Sequence, residues 1–283
     1  MATGGRSVRR CRGLGPLSVG ASTVVGMATL PNPLPRLASL GLGLPPGKLI
    51  DTTDEGPWHE PLLWLADDRA TPAGWAALQR APRALGLLPV VLDVGGGHGG
   101  PEDWELAPAD VSYPGDHDAE EVLADFWEEC CAQEAGDWPG LAEATAAAAD
   151  PDAVATDIAS GLLSAGGPLK EPRLALVPAR RSADIPTALG WMGAVNHGDD
   201  TARLSAVLRS WEDRFGIRVV ALGFDHLRVS VAAPPTTLAE AQALASEHFA
   251  FCPDNLWQGS DTILEAYAER QLLDQPVWSF WWD

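Results

Sequence analysis

The sequence predicts an α+β fold. We expect a C-terminal ferredoxin-like (split β-α-β) unit, a four-stranded antiparallel sheet with helices, packed against a smaller N-terminal α/β region. Two observations predict this class. Beyond residue 171, β-branched runs and helical patterns alternate in the order β-α-β-β-α-β. Before residue 171, compact apolar runs bounded by proline, glycine and aspartate are typical of buried strands.

The chain of 283 residues divides by composition into four predicted regions. Residues 1–26 hold a basic run and a glycine-rich stretch, so we expect a disordered tail or a wrongly assigned start, with translation beginning at Met27. Residues 27–135 are predicted to form an N-terminal α/β domain. Residues 136–170 form an Ala/Gly-rich helical linker, and residues 171–283 form the C-terminal α+β domain.

The sequence predicts several strands and helices within residues 27–170. Apolar runs predict strands at residues 62–65, 87–94 and 104–106. Helical spacing predicts helices at residues 119–132, 140–149 and 152–163. The first of these helices has the clearest start, because Asp118 and Glu121 resemble a capping box.

The C-terminal region begins with a short apolar strand at 173–177 and a helical turn over 184–191. Asp199 or Asp200 then caps a helix that ends at Gly216, since glycine favours the left-handed conformation that closes a helix.

A predicted hairpin follows, with strands at 217–222 and 227–232. Thr237 and Glu240 form a capping box for the next helix. Another helix is capped by Ser260 or Asp261, with its apolar side chains turned inward at Ile263, Leu264, Tyr267 and Leu272.

The final strand is predicted over 277–282, and bulky side chains lie on both of its faces. A strand of that kind needs apolar cover on both sides. We therefore expect the N-terminal region to pack against the open face of the C-terminal sheet.

The net charge of the chain limits the classes of partner that it is expected to bind. The 19 Lys and Arg against 39 Asp and Glu give a formal net charge of -20, which disfavours nucleic acid and acidic membrane surfaces and favours a basic protein partner. No apolar run reaches the roughly 18 residues of a transmembrane helix. The four cysteines lack the spacing of a disulfide framework or zinc site, so reduced thiols and a cytoplasmic location are expected.

The densest set of acid, base or metal-ligand groups is Asp116, His117 and Asp118, with His59 as a further candidate. An Asp and a His two residues apart in a loop can share a divalent ion. The competing interpretation is that these carboxylates cap the following helix. No catalytic residue, metal or cofactor is therefore assigned from the sequence.

Glycines at positions 95, 97 and 100 match the dinucleotide-binding pattern on paper. The proline and the carboxylates that follow place negative charge where a phosphate would bind, so the pattern indicates a flexible glycine loop instead.

Twelve tryptophans against two tyrosines are the unusual feature of the composition. We predict a binding cleft or partner surface that includes Trp191, Asn196, Trp257, Trp281 and Trp282. The alternative is packing in the core, because an aromatic ring with an N–H group suits both environments.

Several C-terminal segments together resemble a bacterial domain of unknown function that is common in actinomycete proteins. The likeness covers about residues 170–283 and rests on Leu174-Ala175-Leu176-Val177-Pro178-Ala179, Trp191 with Asn196, Leu208-Arg209-Ser210-Trp211-Glu212-Asp213-Arg214-Phe215-Gly216, Val219-Val220-Ala221-Leu222-Gly223-Phe224-Asp225 and Trp278 to Asp283. The resemblance implies a fold unit and supplies no catalytic residue.

Two functions remain open from the sequence. The favoured one is a cytoplasmic, non-enzymatic binding or interaction module, immunity-like or regulatory, whose acidic surface meets a basic partner. The alternative is a small-molecule or metal-dependent hydrolase that uses the Asp/His cluster. The oligomeric state is left open.

Overall fold

The computed structural model describes residues 31–79, 82–130, 136–145 and 149–283. The predicted tail and the predicted start at Met27 lie outside these residues. Asn32–Asp283 form one compact unit around a seven-stranded sheet. The predicted boundary near residue 170 falls inside this unit, and strands from both sides of it pair in the same sheet.

The sheet runs in the order β1-β4-β6-β5-β7-β8-β9, and a separate two-stranded sheet pairs β2 with β3. The strands are β1 (Gly47–Ile50), β2 (Thr52–Thr53), β3 (Gly56–Pro57), β4 (Leu63–Arg69), β5 (Leu87–Asp93), β6 (Pro172–Pro178), β7 (Ile217–Leu222), β8 (His226–Val231) and β9 (Val277–Trp281). All neighbours in the large sheet are antiparallel except β5 and β7, which run parallel.

Helices cover both faces of the sheet. They are α1 (Pro72–Leu78), α2 (Ala119–Cys130), α3 (Pro151–Leu162), α4 (Ile185–Leu189), α5 (Thr201–Phe215), α6 (Leu238–Phe251), α7 (Asp254–Trp257) and α8 (Leu264–Tyr267), the last continued by a π-helical turn at Ala268–Leu272. Short 3-10 turns lie at Leu34–Leu40, Arg83–Leu85, Pro101–Asp103, Pro114–Asp116 and Ser182–Asp184. Every helix among the described residues is too short or too polar to span a lipid bilayer.

The α+β class is confirmed, but the predicted four-stranded ferredoxin-like sheet is not. In the ferredoxin-like arrangement, the strands of the C-terminal region would form a sheet of their own. Here β5, which belongs to the N-terminal half, lies between β6 and β7. All seven residues of β5 are buried, so this strand needs neighbours on both edges and cover on both faces.

Alternate residues of the central strands supply two cores, one on each face of the sheet. On β5, for example, Leu88, Val90 and Leu92 belong to the larger core, whereas Leu87 and Val91 belong to the smaller one. Helices α2, α5 and α6 contribute to the larger core, and α1 and α3 to the smaller. This alternation follows from the two-residue period of a strand.

The expectation that β9 is covered on both faces is wrong. Trp278 and Phe280 are buried in the larger core, but Ser279 is exposed and Trp281 is 37% exposed. On the other face of the sheet, α3 packs against β7 and β8. The N-terminal region covers part of this face, because α1 and the turn at Leu34–Leu40 contribute to the smaller core, and its strands β1, β4 and β5 join the sheet itself.

Local signals in the C-terminal half predict its helices well. Asp200 caps α5 by accepting a hydrogen bond from the Ala202 amide, and Gly216 closes that helix at φ +63°. The capping box of Thr237 and Glu240 is present in full at the start of α6. These ends are set by side-chain bonds to free helix amides, which is why the sequence reveals them.

Three local predictions differ from the structure. Residues 104–106 are not a strand, because Glu105 has a φ of 54°, which lies in the left-handed region rather than the extended one. Residues 140–145 of the predicted helix 140–149 are not helical, and 146–148 lie outside the described residues. Ile263 was expected to point inward, but it precedes α8 and is 58% exposed.

A buried carboxylate joins α6 to α5 and to the segment around Ala142. Glu247 is fully buried, and its Oε2 accepts hydrogen bonds from the Trp211 indole at 2.8 Å and from Arg214 Nη2 at 2.6 Å. Its Oε1 accepts from Arg214 Nη1 at 2.8 Å and from the Ala142 amide at 2.7 Å. Four donors around one charge compensate for its removal from water.

We expect Glu247→Gln to lower the free energy of unfolding by about 3–5 kcal/mol, because it leaves the guanidinium of Arg214, whose side chain is 14% exposed, without its counter-charge. Urea denaturation followed by circular dichroism measures this change. The matched control is Asp125→Asn, which breaks the exposed pair between Asp125 and Arg203 and should cost less than about 1 kcal/mol. Equal losses in the two variants would show that the Glu247 network is not a major source of stability.

Candidate functional site

Two of the predicted binding tryptophans belong to the core. Trp191 and Trp282 are both buried, with ring centroids 5.6 Å apart in an edge-to-face arrangement. The Trp191 indole donates to the Gly223 carbonyl at 2.8 Å. These two rings are therefore packed in the larger core.

Asn196 holds the segment that contains the last residues of the sequence. Its amide nitrogen donates to the Asp283 carbonyl at 2.7 Å, and the Asp283 amide donates to Asp254 Oδ2 at 3.1 Å. Asp254 is the first residue of α7, so these bonds connect β9, α7 and the loop around Asn196. The predicted amide of Asn196 is occupied by this internal contact.

The remaining two predicted tryptophans are exposed, and they lie on elements that touch. Trp257 ends α7 and is 49% exposed, and Trp281 ends β9. Asn255 joins the two elements: its Oδ1 accepts from the Trp281 amide at 3.3 Å and its Nδ2 donates to the Ser279 carbonyl at 2.8 Å. The structure thus brings Trp257 and Trp281 to one region of the molecule.

Two other exposed apolar side chains lie on segments that adjoin these elements. Val195, which is 48% exposed, precedes Asn196, and Ile263 follows α7 in the chain. We call Trp257 and Trp281, with the elements α7 and β9 that carry them, the α7–β9 surface. Clusters of exposed apolar groups with polar neighbours are typical of interaction sites.

The α7–β9 surface has an acidic surround. Residues 254–283 contain six carboxylate side chains, at positions 254, 261, 265, 269, 274 and 283, against one basic side chain, Arg270. In addition, the Trp281 indole donates to Asp225 Oδ2 at 3.1 Å. The sequence indicates acidity for the whole chain, and the structure places Asp225, Asp254 and Asp283 on or beside the elements that carry the exposed rings.

The predicted Asp/His cluster is dispersed among structural roles. Asp118 caps α2, because its Oδ1 accepts from the amides of Glu120 and Glu121. Asp116 ends a 3-10 turn, and the ring of His59 packs on Trp58 with centroids 4.6 Å apart. No three His, Cys, Asp or Glu side chains in the described ranges are placed to hold a metal ion.

His117 instead meets partners that the sequence did not indicate. Its Nε2 lies 2.5 Å from the Ser112 hydroxyl, and that hydroxyl donates to Asp200 Oδ2 at 2.6 Å. Burial raises the pKa of Asp200, but hydrogen bonds from Ser112 and the Ala202 amide lower it more, so the carboxylate stays charged.

The arrangement of Ser112, His117 and Asp200 differs from a catalytic triad. In a triad the serine and the carboxylate contact opposite ring nitrogens. Here the carboxylate is 3.7 Å from the same Nε2 that meets the serine. Since Ser112 is exposed and 88 residues from Asp200 in the chain, no local pattern could have revealed the contact.

A second polar cluster lies at the carboxyl ends of the parallel strands β5 and β7. Asp93 is buried and accepts from the amides of Lys170 at 2.9 Å and Glu171 at 2.7 Å. His226 stands between two carboxylates, with Nδ1 3.1 Å from Asp225 and Nε2 4.0 Å from Asp93. The crevice beyond strand ends of this kind is a common place for ligands in open sheets.

The glycine loop after β5 borders this cluster. His98 stacks on Phe224 with ring centroids 4.1 Å apart, beside an open cavity of about 480 Å³. Asp103 and Glu105 also line the cavity, and a short 3-10 turn rather than a helix follows Gly100. The helix that a pyrophosphate would need is absent from this described segment.

Buried polar groups also lie behind β9. His248 is fully buried with its Nδ1 3.1 Å from the Tyr267 hydroxyl, which also accepts from Asn255 at 3.2 Å. Burial holds the pKa of His248 well below its ordinary value, and the charge of Arg214 lowers it further. Burial likewise raises the pKa of the Cys252 thiol to about 12, so this cysteine is unreactive.

Residues 173–283 match the family described as Domain of unknown function (DUF4253). The predicted C-terminal domain of unknown function is thereby confirmed. The matched segment contains β6 to β9 and all of the α7–β9 surface, whereas β5 and residues 59 and 116–118 lie outside it. Comparisons with curated proteins and with solved structures found no match.

The burial of His248 predicts a loss of stability in mild acid. The folded protein keeps this ring neutral, whereas the unfolded chain takes up a proton below the ordinary pKa of 6.5. Protonation of the unfolded chain therefore does not reduce the free energy of unfolding above about pH 6.5. Below that pH the free energy of unfolding falls by up to about 1.4 kcal/mol for each pH unit. His197, whose pKa is also lowered by burial, acts in the same direction.

His248→Phe isolates this contribution, because a phenyl ring suits the aromatic surroundings and does not titrate. Between about pH 7.5 and about pH 5.5, its unfolding free energy should decline by about 1 kcal/mol less than that of the wild type. Urea unfolding at each pH measures the difference. The same decline in both proteins would mean that His248 does not control the acid sensitivity.

Proposed function

We propose that the protein is a non-enzymatic binding module, of immunity-like or regulatory type, that recognises a basic protein partner through the α7–β9 surface. The observation that carries the proposal is the exposure of Trp257 and Trp281 on two elements that contact each other. Their reduced, buried neighbour Cys252 suits a cytoplasmic setting.

The two exposed rings support this function because they sit on a rigid base. Asn255 connects α7 to β9, and the Trp281 backbone carbonyl accepts from the thiol of Cys252 at 3.0 Å. Tryptophan side chains that are already held in place lose little entropy on binding, and such residues contribute much of the affinity at protein interfaces.

Charge supports the choice of partner. The carboxylates of Asp225, Asp254 and Asp283 lie on or beside the two elements that carry the rings, and all three engage the local hydrogen-bond network. A basic surface would be drawn to this region over several ångströms, with a rate that decreases as salt increases.

We expect the double variant Trp257→Ala with Trp281→Ala to reduce the recovery of basic proteins from the native cell by about tenfold or more in a pull-down. Loss of the two rings removes the apolar centre of the interface and leaves the charges. Recovery should also fall as salt rises from about 0.1 M to about 0.5 M.

The control for this experiment is Leu49→Ala. Leu49 is an exposed apolar residue of β1, at the opposite edge of the sheet, so its removal should leave recovery unchanged. Thermal melting establishes that each variant is folded. Undiminished recovery of the same basic proteins by the folded double variant would refute the proposal.

The alternative is a hydrolase centred on His117. It is favoured by the contact of His117 with Ser112 and Asp200, which lies at the edge of an open groove of about 380 Å³ lined by His117, Arg181 and Arg209. Both arginines are already paired, with Asp213 and Asp184 respectively, which leaves less free charge for a substrate.

Metal analysis and ester hydrolysis together test the alternative. Because the described residues offer no metal-binding group of three, we expect protein purified without chelator to hold much less than one divalent ion per chain. Ser112→Ala and His117→Ala should leave any slow hydrolysis of p-nitrophenyl acetate unchanged. A bound stoichiometric metal, or a tenfold loss of hydrolysis in either variant, would favour the hydrolase.

A further inference from the structure

The outer edge of β9 can be identified from its pairing with β8. The Trp282 amide donates to the Asp225 carbonyl, and the Val231 amide donates to the Pro276 carbonyl. The backbone N–H and C=O groups of the even-numbered residues therefore point toward β8, because the backbone groups of successive residues in a strand point in opposite directions. The backbone groups of Val277, Ser279 and Trp281 face away from the sheet.

One position on this edge is already filled by an amide. The side chain of Asn255 accepts from the Trp281 amide at 3.3 Å and donates to the Ser279 carbonyl at 2.8 Å. A primary amide carries the same donor and acceptor as a peptide group, so Asn255 imitates one residue of an added strand. The edge thus already accepts the bonding pattern of a further strand.

The next position along the edge is open. The amide of Ser279 and both backbone groups of Val277 have no hydrogen-bond partner in the described part of the chain. They adjoin a cavity of about 220 Å³ whose wall includes Ser260, Tyr267 and Gln271. Space and unpaired backbone groups therefore coincide at this point.

The strand itself also lacks the charges, prolines and bulges that commonly protect an edge against pairing. Natural edge strands carry charges, especially lysine, or prolines and bulges that block an additional strand. At the opposite edge of the sheet, β1 carries Lys48. Residues 277–282 contain no charged side chain, and the pairing of β9 with β8 has no irregularity.

We propose that the partner contributes an extended, basic peptide segment that pairs as an additional strand with β9 at Val277 and Ser279. The inference rests on the proposed function for the basic character of the partner. Charge complementarity identifies the occupant, because the carboxylates of Asp225, Asp254 and Asp283 lie at the Trp281 end of this edge. In this mode of binding, main-chain hydrogen bonds provide the affinity, and the side chains next to the added strand provide the specificity.

The test uses a short fluorescent peptide of alternating lysine and threonine, with a glutamate and threonine peptide of equal length for comparison. Anisotropy titrations with the full chain should show saturable binding of the lysine peptide, tighter than that of the glutamate peptide by about tenfold or more. Equal binding of the two peptides, or no saturation with the lysine peptide, would overturn the proposal.

Ser279→Pro and Ser279→Ala form a matched pair. Proline removes only the outward amide, and prolines are tolerated at edge strands when the amide faces solvent. Ser279→Pro should weaken binding of the lysine peptide by about tenfold or more, whereas Ser279→Ala should keep it within about twofold. Equal weakening, or none in either variant, would contradict strand addition.

Amide hydrogen exchange in the wild-type protein gives a readout that does not depend on the folding of a variant. Saturation with the lysine peptide should slow exchange at the Ser279 amide, and unchanged exchange would overturn the proposal. If Ser279→Pro captures the basic partner as well as the wild type does, strand addition fails and the proposed function survives. If no basic partner is captured at all, the proposed function itself fails.

Discussion

The burial of β5 on both faces is the constraint on which the rest of the structure depends. Its seven residues are all buried, and this requires strands on both sides and helices above and below. β5 therefore lies between β6 and β7, which do not pair with each other, and the N-terminal strands β1 and β4 belong to the same sheet. For this reason the segment 173–283, which matches one family, takes its central strand from outside that family match.

Polar groups inside the molecule follow a consistent rule. Glu247 and Asp93 are buried charges, and each receives several hydrogen bonds from different elements, so each one fastens distant parts of the chain together. By contrast, Nε2 of His248 has no partner in the described residues, and its ring stays neutral in the fold. Charged groups in this fold are compensated, and an uncompensated group loses its charge.

The site could be predicted in part. A surplus of tryptophan pointed to a core or an interface, and the structure uses the residue in both ways: Trp191 and Trp282 are buried, whereas Trp257 and Trp281 are exposed. Neighbouring Trp281 and Trp282 are separated by the alternation of a strand, which the sequence shows, but which of the two faces the core depends on helices packed from elsewhere. The Asp/His cluster was attractive because its members are adjacent in sequence, yet Asp118 caps a helix and His117 meets Ser112 and Asp200.

The sequence by itself determined the local elements of this protein, especially in the C-terminal half. Capping residues such as Asp200 and Thr237, closing glycines such as Gly216, and the two-residue period of the strands act over a few residues, so they can be read directly. Only the tertiary structure decided the order of the strands, the open outer edge of β9 and the contact of Asn255 with that edge. These features depend on contacts between segments that are distant in the chain, and such contacts are selected by the burial of whole faces rather than by any local pattern.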